Sequence, residues 1–209
     1  MRGQQTVQGE EDGLVRAKNN VSIILQILLP DGIQEGYIMR EYLGSEKFPE
    51  ETLGLSDREK MDEIYLDAMD LSQGSETSGL LAAAFGVFEH KTIPLDLFGL
   101  IIQLPLTSES QLHFDTRVSH LPSHLYSPAV GDIDKLQHFF SSAWLKSALG
   151  MDWLVNLAGN FVEIGEEAFV LGGSNDPRDK HANHDGLRFG NHLGEWGIVL
   201  PSEFLTPNP

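Results

Sequence analysis

The chain has 209 residues, no cysteine, and 31 acidic residues against 14 basic ones, which gives a formal net charge of −17. The absence of cysteine excludes disulfides, cysteine nucleophiles and thiolate metal sites. The negative charge argues against binding of nucleic acid, and against binding of an anionic membrane surface by electrostatics alone. Hydrophobic residues make up 41% of the chain, a fraction that is compatible with a packed core.

The N-terminal residues are polar, and we predict a mobile arm over 1–18 followed by a single domain over 19–209. The N-terminus lacks the apolar core of a signal peptide, and no run reaches the ~18 to 20 apolar residues of a membrane-spanning helix. We therefore expect no transmembrane segment. A cytoplasmic location, or a peripheral one on the cytoplasmic face of a membrane, is favoured, and the compartment stays open.

The stretch 19–130 is predicted to form an N-terminal lobe of short helices and a hairpin. Ser56, with Glu59 three residues later, forms a capping box, which predicts a helix that ends near Leu71. The acidic side chains of this helix are expected to form a solvated face without a site. They are Asp57, Glu59, Asp62, Glu63 and Asp67.

Three further elements are predicted in this lobe. Val21 to Leu29 is short and β-branched and predicts a buried strand, with a short helix as the alternative. The small-residue stretch Ser75 to Phe88 predicts a second helix. Thr92 to Leu106 and Ser110 to Val118 are predicted to pair as a hairpin, because the second arm alternates polar and apolar residues as a half-buried strand does.

The stretch 131–200 is predicted to form a helical core around a helix pair at 132–171. Apolar residues recur at the helical period over about 132 to 149, and Asp132 stands where it could cap the start of this helix. The second helix, about 151 to 171, is more uniformly apolar, as expected of a central helix.

Polar residues recur inside these two apolar patterns. Asp134 and His138 are four residues apart and share one face of the first helix, with Lys135 on the same side. Glu163, Glu166 and Glu167 follow at spacings of three and four on the second helix. We expect these carboxylates to be partly buried or to line a groove.

A third helix is predicted near 179–190. Asp179, Asn183, Gly186 and Gly190 recur at steps of four, three and four, so they form one stripe on a helix. The glycines would let this helix lie tightly against another, with the two polar side chains pointing into the contact. The whole chain is thus predicted to be a mainly helical α+β domain.

Three motifs follow one another within residues 134–190. They are Asp134-Lys135-x-x-His138-Phe139, Glu163-x-x-Glu166 and Asp179-x-x-x-Asn183-x-x-Gly186-x-x-x-Gly190. Their order and types resemble the signature of the VanZ-like and YfiM-like proteins, which are small helical bacterial proteins, mostly of the cell envelope. The resemblance implies a helical fold and an envelope setting. Those proteins usually carry the motifs in membrane-spanning helices, whereas the helices predicted here are too polar and too short to span.

Three chemical roles fit these residues. One is a buried hydrogen-bond and charge network that locks three helices, formed by Asp134, Lys135, His138, Glu163, Asp179 and Asn183. Another is a zinc, iron or manganese site that activates a water molecule, with the ligands His138, Glu163, Glu166 and Asp179, and His181 and His184 as outer options. The third is an acid–base site without metal.

The chain contains no nucleophile elbow, P-loop or dinucleotide fingerprint. We therefore expect a non-enzymatic structural or accessory protein that acts through an interface with a protein partner, in an envelope-associated assembly. We expect no cofactor and no nucleic-acid partner, while peripheral membrane association stays open. The alternative is a metal-dependent hydrolase that holds a divalent metal in the histidine and carboxylate cluster.

Overall fold

A computed structural model of the chain describes residues 31–97, 100–105, 109–128, 131–149, 177–193 and 199–206. These residues form α-helices, one antiparallel pair of strands and a 3₁₀ turn. The elements are α1 Asp31–Leu43, α2 Lys47–Glu51, α3 Asp57–Leu71, α4 Glu76–Gly86, β1 Thr92–Leu97, β2 Leu100–Pro105, α5 Gln111–His120, α6 Ile133–Leu149, α7 Pro177–His192 and the turn Pro201–Phe204.

The fold is mainly helical, as predicted, but its α+β character is not supported. The strands of the described ranges are β1 and β2, which pair from Thr92 opposite Pro105 to Leu97 opposite Leu100. A two-stranded ribbon does not form a sheet layer against which helices can pack as in an α+β domain.

The predicted hairpin has the wrong second arm. Both strands come from the stretch assigned to the first arm, and the stretch 110–118 belongs to α5 instead. Ser110 caps this helix, because its Oγ accepts a hydrogen bond of 3.1 Å from the amide of His113. The alternating pattern was misleading, since Leu112 is 78% exposed while Arg117 is fully buried.

The capping box predicted for α3 is confirmed. Ser56 Oγ accepts from the Glu59 amide at 3.3 Å, and Glu59 Oε2 accepts from the Ser56 amide at 2.7 Å. The solvated acidic face expected on this helix is wrong for Asp62, which is 8% exposed and accepts hydrogen bonds from Ser202. Helical periodicity identified the face of α3 but could not show that a distant segment covers part of it.

Helices α6 and α7 are confirmed and lie in close contact. A Cβ atom built on Gly186 would stand 2.2 Å from the carbonyl oxygen of Phe139, and one on Gly190 would stand 2.6 Å from that of Ala143. Real Cβ atoms do not approach backbone oxygen this closely. The two glycines therefore allow the backbones of the two helices to touch.

Buried apolar side chains from both sides of residue 130 belong to one hydrophobic cluster. Met39 of α1 and Leu80 of α4 share it with Phe139, Phe189 and Phe204. Helix α4 is central to this arrangement, because it packs against α1, α3 and α6. The core thus joins the N-terminal helices to the α6–α7 pair.

Several predictions fall outside the described residues. They concern the arm 1–18, the strand at Val21 to Leu29, and the helix at 151–171 with Glu163 and Glu166. Within the part of the chain that the structure describes, no helix is long and apolar enough to cross a membrane.

Candidate functional site

The α6–α7 contact brings five of the predicted site residues together. Asp134, Lys135 and His138 lie on the first turns of α6, and Asp179 and Asn183 lie on the first turns of α7. The close approach at the glycines fixes the two helices side by side. The polar side chains near their N-terminal ends therefore face each other.

Lys135 is the cation of this cluster. Its side chain is 2% exposed, and its Nζ lies 2.6 Å from Asp179 Oδ1 and also contacts Asp134 Oδ2. Burial alone would lower the pKa of Lys135, but the hydrogen bonds and charges of Asp134 and Asp179 outweigh it and raise the pKa above its ordinary value. The ammonium group is thus held in its charged form between two carboxylates.

His138 is oriented by α7. Its Nδ1 lies 3.2 Å from Asn183 Oδ1, which also accepts a hydrogen bond of 2.9 Å from Ser142 Oγ. Because an amide oxygen only accepts, this contact requires the proton on Nδ1. The second ring nitrogen, Nε2, lies 3.7 Å from Asp179 Oδ1.

Glu89, which follows α4 and which sequence reasoning missed, lies near enough to this cluster for its charges to affect the ionisation of the Glu89 carboxyl. Burial and then the charge of Asp134 raise the pKa of Glu89, while the charges of His90, Lys135 and His138 act in the opposite direction. Glu89 stands in a short connection with no periodic partner. Only the packing of α4 against α6 reveals its neighbours.

Asp132 stands at the start of α6, where a cap was predicted, but its carboxylate has a different role. Asp132 Oδ2 accepts from the amides of Tyr126 and Ser127 at 2.8 and 2.7 Å. Its Oδ1 lies 2.6 Å from Arg178 Nη1 of α7. The fully buried carboxylate therefore ties the preceding loop and α7 to the start of α6.

The predicted metal ligands are only partly within the described residues. His138 and Asp179 are adjacent, whereas Glu163 and Glu166 lie outside the described ranges. No group of three or more histidine or carboxylate side chains in the described ranges could hold a metal ion. The Lys135 ammonium offers a physical reason, because it already neutralises the Asp179 carboxylate.

A second buried charge cluster lies away from the α6–α7 contact. Arg40 Nη2 donates to Glu109 Oε1 at 2.6 Å, and Arg117 Nη2 donates to the same oxygen at 3.0 Å. Burial opposes ionisation of Glu109, but Arg117 and Arg40 together lower the pKa of its carboxyl below the ordinary value.

The two arginines also bind the end of α4. Arg40 Nη1 donates to the Phe85 carbonyl at 3.1 Å, and Arg117 Nη1 donates to the Gly86 carbonyl at 3.0 Å. These carbonyls belong to the last turn of a helix, where intrahelical partners are missing and the helix dipole favours a cation. The cluster is therefore a helix cap made of distant residues, and no sequence spacing points to it.

The fold and the cluster define a mainly helical, acidic protein in which a glycine-packed helix pair is joined by charged and polar side chains. No family model matches the chain, and the comparisons with curated proteins and with solved structures give no match.

Proposed function

We propose that the chain is a non-enzymatic structural or accessory protein that works through an interface with a protein partner. In this proposal the α6–α7 polar cluster is part of the architecture that holds the interacting surface in shape. Lys135 of α6 contacts Asp179 of α7, and His138 and Ser142 of α6 contact Asn183 of α7.

The observation that carries this proposal is the position of Lys135. Its nearly inaccessible ammonium contacts carboxylates of both helices, Asp134 on α6 and Asp179 on α7. Buried charges of opposite sign that also hydrogen-bond fix the register of the elements that carry them. The cluster thus acts as a lock between two helices.

The resemblance to the VanZ-like and YfiM-like proteins supports an envelope-associated assembly as the setting. The motif residues Asp134, Lys135, His138, Asp179 and Asn183 meet in one interhelical contact, and the motif glycines lie in the same contact. Motif residues that lie together in one contact between helices are expected when a motif preserves helix packing. We therefore infer that these motifs have a structural role.

The proposal is tested with the full chain and the variant His138→Ala. Ester, phosphate and amide probes are offered to both proteins, and folding is followed by circular dichroism. We expect neither protein to hydrolyse any probe above the uncatalysed rate. Hydrolysis by the wild type that disappears in a folded His138→Ala protein would overturn the proposal.

A metal-dependent hydrolase is the second candidate function. The observation that favours it is His138 Nε2, the ring nitrogen that does not face Asn183 and lies 3.7 Å from Asp179 Oδ1. Imidazole and carboxylate together are a ligand set for zinc, iron or manganese. Glu163 and Glu166 would have to complete the set.

Metal content separates the two candidates. Protein purified without chelator or nickel affinity is measured by mass spectrometry beside His138→Ala and Glu166→Gln. A hydrolase is expected to hold a near-stoichiometric transition metal that His138→Ala loses, and Glu166→Gln should abolish activity without unfolding. In the accessory protein, Glu166→Gln changes only stability, by roughly 1 to 3 kcal/mol if Glu166 is a buried hydrogen-bonded group.

A further inference from the structure

The C-terminal segment 199–206 lies across two helices that are far apart in the sequence. At one end, Ser202 donates to Asp62 of α3, from its amide at 2.8 Å and from its hydroxyl at 2.6 Å. The Asp62 residue is 8% exposed. A short segment without regular structure beyond one turn is therefore held by a buried carboxylate of α3.

At the other end, Thr206 binds a carboxylate of α7. Its amide donates to Asp185 Oδ2 at 2.9 Å, and its Oγ1 lies 3.1 Å from both oxygens of the same carboxylate. The hydroxyl also contacts His181 Nε2 at 2.5 Å. Asp185 is fully buried and also accepts from the Tyr126 hydroxyl at 3.3 Å.

Between these anchors, the Phe204 ring packs against aromatic and cationic side chains of α7. Its centroid lies 5.4 Å from that of Phe189 and 5.1 Å from that of His192, and Arg188 stands over the ring at 5.6 Å. Phe204 is 8% exposed. Ser202, Phe204 and Thr206 are thus spaced two residues apart along the segment. The Ser202 hydroxyl contacts α3, and the Phe204 ring and the Thr206 hydroxyl contact α7.

We propose that the surface of α3 and α7 that segment 199–206 covers, called the groove below, is a peptide-binding site. In the free chain its own segment 199–206 occupies the groove. The same segment of a second copy is the alternative occupant. Every copy carries both the groove and the complementary segment. Without an occupant, Asp62 and Asp185 would lose the donors Ser202 and Thr206, and loss of partners by buried carboxylates is costly. This inference is independent of the α6–α7 polar cluster and of the function proposed for it.

A tethered segment competes strongly with one supplied from outside. Because the segment belongs to the same chain, its binding is intramolecular and it acts at a high effective concentration. A free peptide should therefore bind the wild-type chain poorly. Removing the two hydroxyls of the tethered segment weakens its docking and should open the groove to the peptide.

The first experiment uses the full chain and a fluorescent peptide with the sequence of residues 199–206, VLPSEFLT. Fluorescence anisotropy measures its Kd for the wild type and for the Ser202→Ala/Thr206→Val variant. We expect the variant to bind the peptide at least tenfold more tightly than the wild type. Adding Asp185→Asn to the variant should then weaken peptide binding about tenfold.

The matched control is a peptide of the same length and charge with alanine for serine and valine for threonine. It should bind at least tenfold more weakly than VLPSEFLT. Equal binding of the two peptides, or equal binding of VLPSEFLT by the wild type and the folded variant, would overturn the proposal. If the variant does not fold, the single substitutions Ser202→Ala and Thr206→Val replace it with the same expected order.

The second experiment tests the second copy as occupant. The Asp185→Asn chain has a weakened groove but an intact segment 199–206. The Ser202→Ala/Thr206→Val chain has a weakened segment but an intact groove. Sedimentation velocity of the mixture should show a heterodimer that neither chain forms alone at the same concentration. A mixture that stays monomeric, with both chains folded by circular dichroism, would exclude exchange between copies. The same experiment can be done with a second pair of chains, Asp62→Asn and Ser202→Ala.

Discussion

Two groups of three charges lie within the described part of the chain, in opposite combinations. Two arginines, Arg40 and Arg117, share the carboxylate of Glu109, whereas the single ammonium of Lys135 is shared by two aspartates. Removing one partner from a buried ion pair leaves an uncompensated charge, which costs far more than the pair contributes to stability. The shared residue of each group is therefore the sensitive one.

The change Glu109→Gln is expected to lower the free energy of unfolding by about 3 to 5 kcal/mol, because it leaves two buried guanidinium groups without a counter-charge. Urea denaturation followed by circular dichroism measures this difference. The control is Glu50→Gln, the same chemical change on an exposed side chain of α2, which should stay within about 0.5 kcal/mol of wild type. Similar values for the two variants would contradict the role given to Glu109.

Asp67 of α3 carries a pH-dependent contribution to stability. Burial, helped by the charges of Glu63 and Glu51, outweighs the hydrogen bond of Tyr42 and the charge of Lys47 and raises the pKa of Asp67 from 3.8 to about 6. The folded state therefore binds the proton more tightly than the unfolded state, and between about pH 4 and 6 the free energy of unfolding falls as pH rises. At neutral pH the ionised carboxylate destabilises the fold.

We expect Asp67→Asn to raise the free energy of unfolding at pH 7 by about 1 to 2 kcal/mol, after allowance for solvent screening. The variant should also lose the part of the pH dependence that lies between pH 4 and 6. Asp70→Asn, an exposed carboxylate of the same helix, controls for the general effect of removing one negative charge. Equal pH profiles for wild type and Asp67→Asn would show that Asp67 does not titrate in this range.

At the scale of the elements, the α6–α7 crossing depends on the absence of side chains at two positions of α7. The backbone oxygens of Phe139 and Ala143 occupy the space that the Cβ atoms of Gly186 and Gly190 would need. Backbone atoms of a helix cannot move without disturbing their own hydrogen bonds. A methyl group there would separate the two helices and lengthen the contacts of Lys135 and His138 across them.

Gly186→Ala is therefore expected to destabilise the fold by about 1 to 3 kcal/mol, although alanine favours the helix by roughly 1 kcal/mol. Chemical denaturation checks the value. Gly79→Ala is the matched control, because its Cβ would meet Met69 Sδ at 2.6 Å, an atom near the end of a flexible side chain that can move. The control should be nearly neutral, and a loss at Gly79 as large as that at Gly186 would contradict the argument.

At the scale of the whole molecule, a net charge of −17 acts on the folded state as a whole. Like charges held together in a compact chain repel one another, and salt screens this repulsion within about 10 Å at 0.1 M. We expect the melting temperature to rise when sodium chloride increases from 10 mM to 0.5 M. A steady fall of Tm over this range would mean that the buried and surface ion pairs outweigh the repulsion.

Features that depend on neighbours along the chain are visible in the amino-acid sequence. The capping box of Ser56 and Glu59 lies within one helical turn, and the glycine stripe of α7 is a repeat of three and four residues. The interactions that create such features join residues a few positions apart, so their spacing is visible in the sequence. The alternation of polar and apolar residues gave a wrong prediction at 110–118, because this stretch belongs to helix α5 and not to a strand.

The partners of the buried charges, in contrast, depend on tertiary packing. Arg40 and Glu109 are 69 positions apart, Ser202 and Asp62 are 140 apart, and neither spacing has a period that links them. Glu89 likewise comes within range of the charges of Asp134, Lys135 and His138 because α4 packs on α6. These contacts depend on how the helices pack around one core. The residues next to each partner in the sequence do not predict that packing.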